Sequence, residues 1–148
     1  MSEVEQFTLH CLLCGALKAG RFVPGERALG TQLVAHVDRD VIVLVGPTAW
    51  DLRIAPRRHL VSLSTTSDDA APVLFAMRVV VNALRSALGV AGATIEPTLE
   101  IGGVGHVTFR VVPTAPCPRG QALQPDVESV ASLVSGALDA ALRTSLLP

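Results

Sequence analysis

The sequence contains no tyrosine and few other aromatic residues, so its hydrophobic core must be built from Val, Leu, Ile and Ala. It also lacks any long basic run, and its net charge is −1, so nothing predicts nucleic-acid binding through phosphate neutralisation. No apolar run approaches the roughly 20 residues that span a bilayer, and the acidic start Met1–Glu5 has no signal-peptide pattern. These absences predict a cytoplasmic protein that binds neither membrane nor nucleic acid.

Cysteine is scarce as well. Three cysteines in a reducing compartment argue against a disulfide framework. The 148 residues have the length of one ordinary domain, and 49% of them are hydrophobic, which is enough to bury a core. We therefore expect a single domain over 1–148, with its core at about 11–113, a Pro/Gly-rich loop at 113–125 and a C-terminal helix at about 126–146.

Hydrophobic periodicity predicts an α+β fold. Two amphipathic segments, about 68–88 and 126–146, repeat apolar residues at three- and four-residue spacing and predict helices, and Gly89 suits a C-cap. Strands before and after the first helix suggest an antiparallel sheet of about five strands with the helices on one face. The runs that predict strands are Leu29–Val37, Val41–Val45, Asp51–Ala55, Thr94–Ile101 and His106–Val112.

Cys11 and Cys14 have the spacing of a metal-binding pair, because a two-residue gap lets both thiolates point at one ion. The same spacing occurs in redox pairs, which are expected at the start of a helix in a βαβ unit. Here the pair precedes the first predicted strand and no βαβ unit is apparent. A tetrahedral site would need two more ligands.

The sequence offers four histidines as further ligands. His10 adjoins a cysteine, and adjacent residues rarely converge well on one ion. His36 lies near a strand end and is expected to face solvent. His59 stands at a strand-to-helix junction and His106 begins a predicted strand, but spacing alone does not show that either meets the cysteines.

Three segments, in this order, resemble the histidine-triad family. They are Cys11-Leu12-Leu13-Cys14, Pro56-Arg57-Arg58-His59 and, after the long helix, His106-Val107-Thr108-Phe109-Arg110. In zinc-bearing members the metal is held by the two cysteines, the junction histidine and the first histidine of the triad. The resemblance therefore implies a histidine-triad (HIT-like) fold with zinc bound by Cys11, Cys14, His59 and His106. Four protein ligands leave no open position, so this zinc would be structural.

The resemblance also implies a nucleotidyl-transfer reaction, but this chain lacks the residues that perform it. Family members attack the phosphorus of a nucleotide with the middle histidine of the triad, and here that position is Thr108, a poor nucleophile without a base. Arg110 holds the third position and could bind phosphate but cannot exchange protons at neutral pH. Asp51 replaces a further histidine expected eight residues before His59, and its carboxylate is expected to repel phosphate. The usual nucleotidyl hydrolase or transferase activity is predicted to be absent.

Several functions remain open at this stage. The first is a non-catalytic family member that binds a small molecule, a nucleotide-like ligand included, or a partner protein in the old nucleotide cleft; the resemblance also implies a homodimer paired through the long helix and the neighbouring strand edge. The second is a diverged enzyme acting on a specialised metabolite. Residual nucleotidyl hydrolysis or transfer is the third, and zinc storage or redox sensing through Cys11 and Cys14 is the fourth. The candidate residues for the diverged enzyme are Thr108, Arg110, Asp51, Arg53 and Glu100.

Overall fold

A computed structural model describes residues 11–60, 67–98, 106–114 and 125–145. Glu100 and Cys117 lie outside the described residues, as do the first ten residues and most of the predicted 113–125 loop. The elements are α1 (Leu12–Lys18), β1 (Arg27–Leu29), β2 (Gln32–Val37), β3 (Val41–Val45), β4 (Leu52–Pro56), α2 (Ser67–Leu88), β5 (Gly92–Thr98), β6 (Thr108–Thr114) and α3 (Val127–Ser145).

The strands form one antiparallel sheet in the order β1-β2-β3-β4-β6-β5. The α+β class is confirmed, as are the long helix and the C-terminal helix. The described sheet has six strands instead of about five, because the chain turns back at Gly30 and separates β1 from β2. Gly30 has a φ of 62°, a conformation that favours glycine.

The two faces of the sheet carry different layers. Strand alternation sends Val43, Val45 and Ile54 to the face covered by α2 and α3, where they form the main core. Ile42, Leu44 and Ala55 point to the opposite face and pack with α1 in a smaller apolar cluster. Helix α1 was not predicted, since its seven residues are too few to establish a periodic pattern.

Helix α2 contains a stretch, Ala70–Leu88, that is long and apolar enough to cross a membrane by length and composition. This differs from the expectation that no segment approaches the length and apolar composition of a membrane span. One side of the stretch, represented by Val73, Val80 and Leu84, is fully buried against the sheet and α3. The helix therefore serves as the core helix of the fold. It ends at Leu88, and Gly89, the next residue, has a φ of 66°, as predicted for a C-cap.

A β-bulge reverses the expected orientation of His36. The pairing of β2 with β3 is irregular between Val34 and His36, and His36 then lies opposite Val43. Ala35 and His36 consequently both belong to the helix-covered face, whereas strict alternation from Leu33 would turn His36 away from it. His36 is 5% exposed, so the prediction that it faces solvent is wrong.

Candidate functional site

Cys11 and Cys14 lie at the N-terminus of α1. Cys11 is its N-cap, with φ −81° and ψ 119°, and its Sγ accepts a long hydrogen bond of 3.5 Å from the backbone N–H of Cys14. The Cys11 carbonyl accepts from the N–H of Gly15 at 2.9 Å, which begins the helix. One helical turn thus separates the two thiols, both of which are buried. A helix N-terminus also favours negative charge, and therefore thiolates.

His59 and His106 come from the two chain segments that flank β4 and β6. The segments are joined by a backbone hydrogen bond of 2.7 Å from the N–H of Val107 to the carbonyl of Leu60. The two imidazoles meet edge to face, with ring centroids 5.0 Å apart and an interplanar angle of 86°. The sheet thereby holds both rings beside α1.

The four side chains converge on one point. Their ligand atoms all lie within 4.8 Å of one another. The Sγ of Cys14 is 3.4 Å from Nδ1 of His59 and 3.5 Å from Nδ1 of His106, which is also 3.5 Å from the Sγ of Cys11. In tetrahedral zinc sites with bonds of about 2.3 Å to sulfur and about 2.0–2.1 Å to nitrogen, sulfur and nitrogen ligands are about 3.6 Å apart. The donor set therefore fits a tetrahedral cation in both composition and size.

A backbone carbonyl fixes the orientation of His106. Its Nε2 lies 2.8 Å from the carbonyl oxygen of Pro56, which can only accept, so Nε2 carries the proton and Nδ1 presents its lone pair to the cysteines. Burial lowers the pKa of His106, and its neighbour His59 lowers it further against the opposing effect of the Pro56 hydrogen bond. The imidazole is therefore neutral at neutral pH, as a metal ligand must be. Sequence reasoning had no signal for this carbonyl partner.

The thiol of Cys14 has a strongly raised pKa. Burial, together with a hydrogen bond and charge repulsion from Cys11, raises the pKa of Cys14 to about 12. Reactive redox cysteines instead have lowered pKa values and partial exposure. Although the pair does begin a helix, its environment favours a metal ligand over a redox thiol.

A second cluster of polar side chains lies on the sheet face that carries α1, beyond the part that α1 covers. The pairing of β4 with β6 places Arg53 directly opposite Arg110. Asp51 lies between their side chains, with Oδ1 at 3.8 Å from Nε of Arg53 and 3.5 Å from Nε of Arg110. Asp51, whose carboxylate was expected to repel phosphate, therefore lies against two guanidinium groups of opposite charge.

Thr108 is also on this face but is engaged elsewhere. Its side chain is fully buried, and its hydroxyl donates to the carbonyl of Thr98 on the neighbouring strand β5 at 3.3 Å. A hydroxyl held in this way is not aimed at a substrate. Its geometry gives no support to Thr108 as a nucleophile.

His36 forms a separate polar cluster at the turn between β2 and β3. Its Nε2 is 2.7 Å from Oδ2 of Asp38 and its Nδ1 is 3.6 Å from Oδ1 of Asp139 on α3. Burial alone would raise the pKa of Asp38, but hydrogen bonds from His36 and from the N–H groups of Asp40 and Val41 outweigh it and lower the pKa. Sequence spacing missed this cluster because the bulge is not visible in the residue pattern.

Solved structures show the same architecture. A Zn-bound histidine triad family protein from Mycobacterium smegmatis matches with a TM-score of 0.61 and 19% identity, over 93% of this chain and 99% of that one. A hypothetical histidine triad nucleotide-binding protein from Sulfolobus tokodaii matches with a TM-score of 0.61 and 12% identity, over 90% and 95%. This chain has the histidine-triad fold. The expected fold is confirmed by structure alone, since no family model and no curated protein matches the sequence.

A third structure with the histidine-triad fold extends the comparison. A histidine triad protein from Bradyrhizobium japonicum matches with a TM-score of 0.53 and 18% identity, over 74% of this chain and 90% of that one. At identities this low the comparison establishes the fold, and the roles of individual side chains must be argued from the geometry of this chain.

The raised pKa of Cys14 makes cation binding dependent on pH. The thiol is protonated near neutral pH, whereas a bound thiolate has lost its proton, so binding must release that proton. We expect affinity for a divalent cation to increase from about pH 6 to about pH 8, by about tenfold per pH unit for each proton released. Calorimetric titration in buffers of different ionisation enthalpy measures both the affinity and the number of protons released. An affinity that stays flat over this window would contradict the assignment of Cys14 as a ligand, and Cys14→Ser serves as the control without the thiol.

Proposed function

We propose that this chain is a zinc-bound histidine-triad protein that binds a small molecule in the family's nucleotide cleft and does not catalyse nucleotidyl transfer. The observation that carries the proposal is the convergence of two thiols and two imidazole nitrogens at 3.4–3.5 Å, beside a strand whose nucleophile position holds a threonine. The Zn-bound description of the Mycobacterium smegmatis protein supports zinc as the cation. The nucleotide-binding description of the Sulfolobus tokodaii protein supports a nucleotide-like ligand.

The proposed role of zinc is structural. Cys11, Cys14, His59 and His106 would fill all four positions of a tetrahedral ion and leave none for water or substrate. When bound, zinc supplies a cross-link between α1 and the ends of β4 and β6. His106 contributes through its Nε2 proton, which the Pro56 carbonyl holds so that Nδ1 stays available. Buried cysteines kept as thiolate ligands also suit the reducing cytoplasm, the location that we propose.

Zinc should be present at one ion per chain in protein purified without chelator. Replacing Cys14 by serine removes a soft thiolate ligand, so Cys14→Ser should lose most of the zinc and unfold at lower temperature. Plasma mass spectrometry measures the metal and differential scanning calorimetry measures the melting temperature. Cys117→Ser is the matched control and should keep both. Zinc-free wild-type protein, or full zinc content in Cys14→Ser, would refute the ligand set.

The loss of nucleotidyl chemistry is tested by incubation with nucleoside phosphoramidates and dinucleoside polyphosphates. We expect no turnover above buffer, because Thr108 is buried and its hydroxyl donates to Thr98. Chromatography of the released nucleotide measures the rate. Turnover that Thr108→Ala abolishes would instead establish a residual hydrolase or transferase that uses this hydroxyl.

A homodimer is part of the proposal. Strand β5 stands at an edge of the sheet, and Leu74 and Phe75 are exposed apolar residues on α2, which packs beside it. Light scattering should give a mass of two chains, and Leu74→Glu combined with Phe75→Glu should reduce it to one. Lys18→Glu, a charge change on α1 at the opposite face of the sheet, should leave the dimer intact. A monomeric wild-type protein would exclude this arrangement.

A further inference from the structure

The two cysteines stand where a pair can close on itself at the start of α1. Cys11 is the N-cap, in an extended conformation with φ −81° and ψ 119°, and Cys14 lies in the first turn. An N-cap side chain folds back over the first turn, and here the Sγ of Cys11 lies 3.5 Å from the backbone nitrogen of Cys14. The two sulfur atoms are within 4.8 Å of each other. A disulfide between them therefore needs only an adjustment within one turn.

A disulfide would remove half of the ligands that the proposed zinc site needs. Cysteine binds a metal as the thiolate, and a sulfur engaged in a disulfide has no negative charge to offer. His106 would stay oriented, because its Nε2 lies 2.8 Å from the carbonyl oxygen of Pro56. Two imidazoles alone leave two positions of a tetrahedral ion open, so the closed site would become a weak one.

Solvent reaches the pair from the side of Cys14. Cys14 is 9% exposed and Cys11 is 1% exposed, so Cys14 is the sulfur that a small oxidant meets first. Its neighbours Leu12 and Gly15 on α1 are exposed, and His59 is only partly buried. Cys11 lies deeper in the small apolar cluster, where it is placed to react with an oxidised Cys14.

The environment that favours metal binding also decides when the pair reacts. Buried thiols without a cation are poor nucleophiles, because the nucleophile is the thiolate. When zinc is bound, both sulfurs are thiolates, so the zinc-loaded form is the one that an oxidant attacks. The pair therefore differs from an exposed redox pair, whose thiolates form without a metal.

We propose that Cys11 and Cys14 form a redox switch in which hydrogen peroxide converts the zinc-bound thiolates to a disulfide and thereby releases zinc. This rests on the proposed function and adds a means of regulating the same site. The Sγ of Cys14 attacks one oxygen of the peroxide, the O–O bond breaks, and a hydroxide ion leaves a sulfenic acid behind. The Sγ of Cys11 then attacks the sulfur of Cys14, the S–O bond breaks, and a second hydroxide ion leaves. Two electrons pass from the sulfurs to the peroxide, and the charge of the two hydroxide ions balances that of the released zinc.

Release of zinc would loosen α1. The cation links this helix to His59 and His106, and seven residues are too few for a helix to be stable alone. Leu13 and Ala16 would still pack in the small apolar cluster, but the cross-link to the strand ends would be gone. Because α1 covers part of the sheet face that also carries Thr108, oxidation would alter the side of the sheet where a ligand is proposed to bind.

The test uses zinc-loaded, full-length Cys117→Ser protein, in which Cys11 and Cys14 are the only cysteines. One equivalent of hydrogen peroxide should release one zinc per chain, which a chromophoric chelator measures. Both thiols should then fail to react with a maleimide, and dithiothreitol should restore their reactivity. Zinc added after dithiothreitol should bind again at one ion per chain.

Limited trypsin digestion of the same samples measures how firmly α1 is held. Cleavage after the exposed residues Lys18 and Arg21 should accelerate about fivefold or more on oxidation, since local opening exposes these bonds to the protease. Cleavage after Arg39 is the internal control. Its side chain is 92% exposed on the turn between β2 and β3, and its cleavage rate should stay the same.

The inference is overturned if peroxide leaves zinc bound, or if zinc leaves while both thiols still react with the maleimide. A sulfinic acid at either cysteine in place of the disulfide, seen as two added oxygen atoms by peptide mass mapping, would overturn it as well. Unchanged cleavage after Lys18 and Arg21 would overturn the link to α1. Protein that carries no zinc before treatment overturns the proposed function too, whereas zinc that is present and retained overturns this inference alone.

Discussion

Four potential ligand atoms from three distant parts of the chain lie within 4.8 Å of one another. The position of α1 against the sheet is tied to this convergence. The short helix α1 brings the cysteines, and the ends of the neighbouring strands β4 and β6 bring the histidines. Besides the two cysteines, α1 buries Leu13 and Ala16 in the small apolar cluster on the sheet. A cation at this point would fasten the start of the described chain to the centre of the sheet.

The electrostatics of the cluster also favour a bound cation. Burying a thiolate without a partner is costly, and burial is the main reason why the pKa of Cys14 rises to about 12. A divalent cation reverses that cost and leaves two neutral imidazoles as the remaining ligands. Further along β4 and β6 the register sets Arg53 directly opposite Arg110, with the carboxylate of Asp51 against both. The proposed zinc would neutralise the thiolates of the buried cysteine pair.

Much of this could be predicted from the sequence, but for different reasons in different places. Long amphipathic patterns predicted α2 and α3 to within a residue or two, because periodicity over many residues is a strong signal. The four candidate ligands came from the resemblance to a family, since spacing alone left His59 and His106 undecided. Helix α1 was too short for its pattern to be recognised. The bulge that buries His36, and the register that sets Arg53 against Arg110, depend on strand pairing, which residue types in one strand do not encode.

X-ray absorption at the zinc edge tests the central claim most directly, because it counts the ligands around the metal without requiring activity. For Cys11, Cys14, His59 and His106 it should give two sulfur atoms at about 2.3 Å and two nitrogen atoms at about 2.0–2.1 Å. A shell of oxygen and nitrogen without sulfur would contradict the account, as would a sample with no zinc edge.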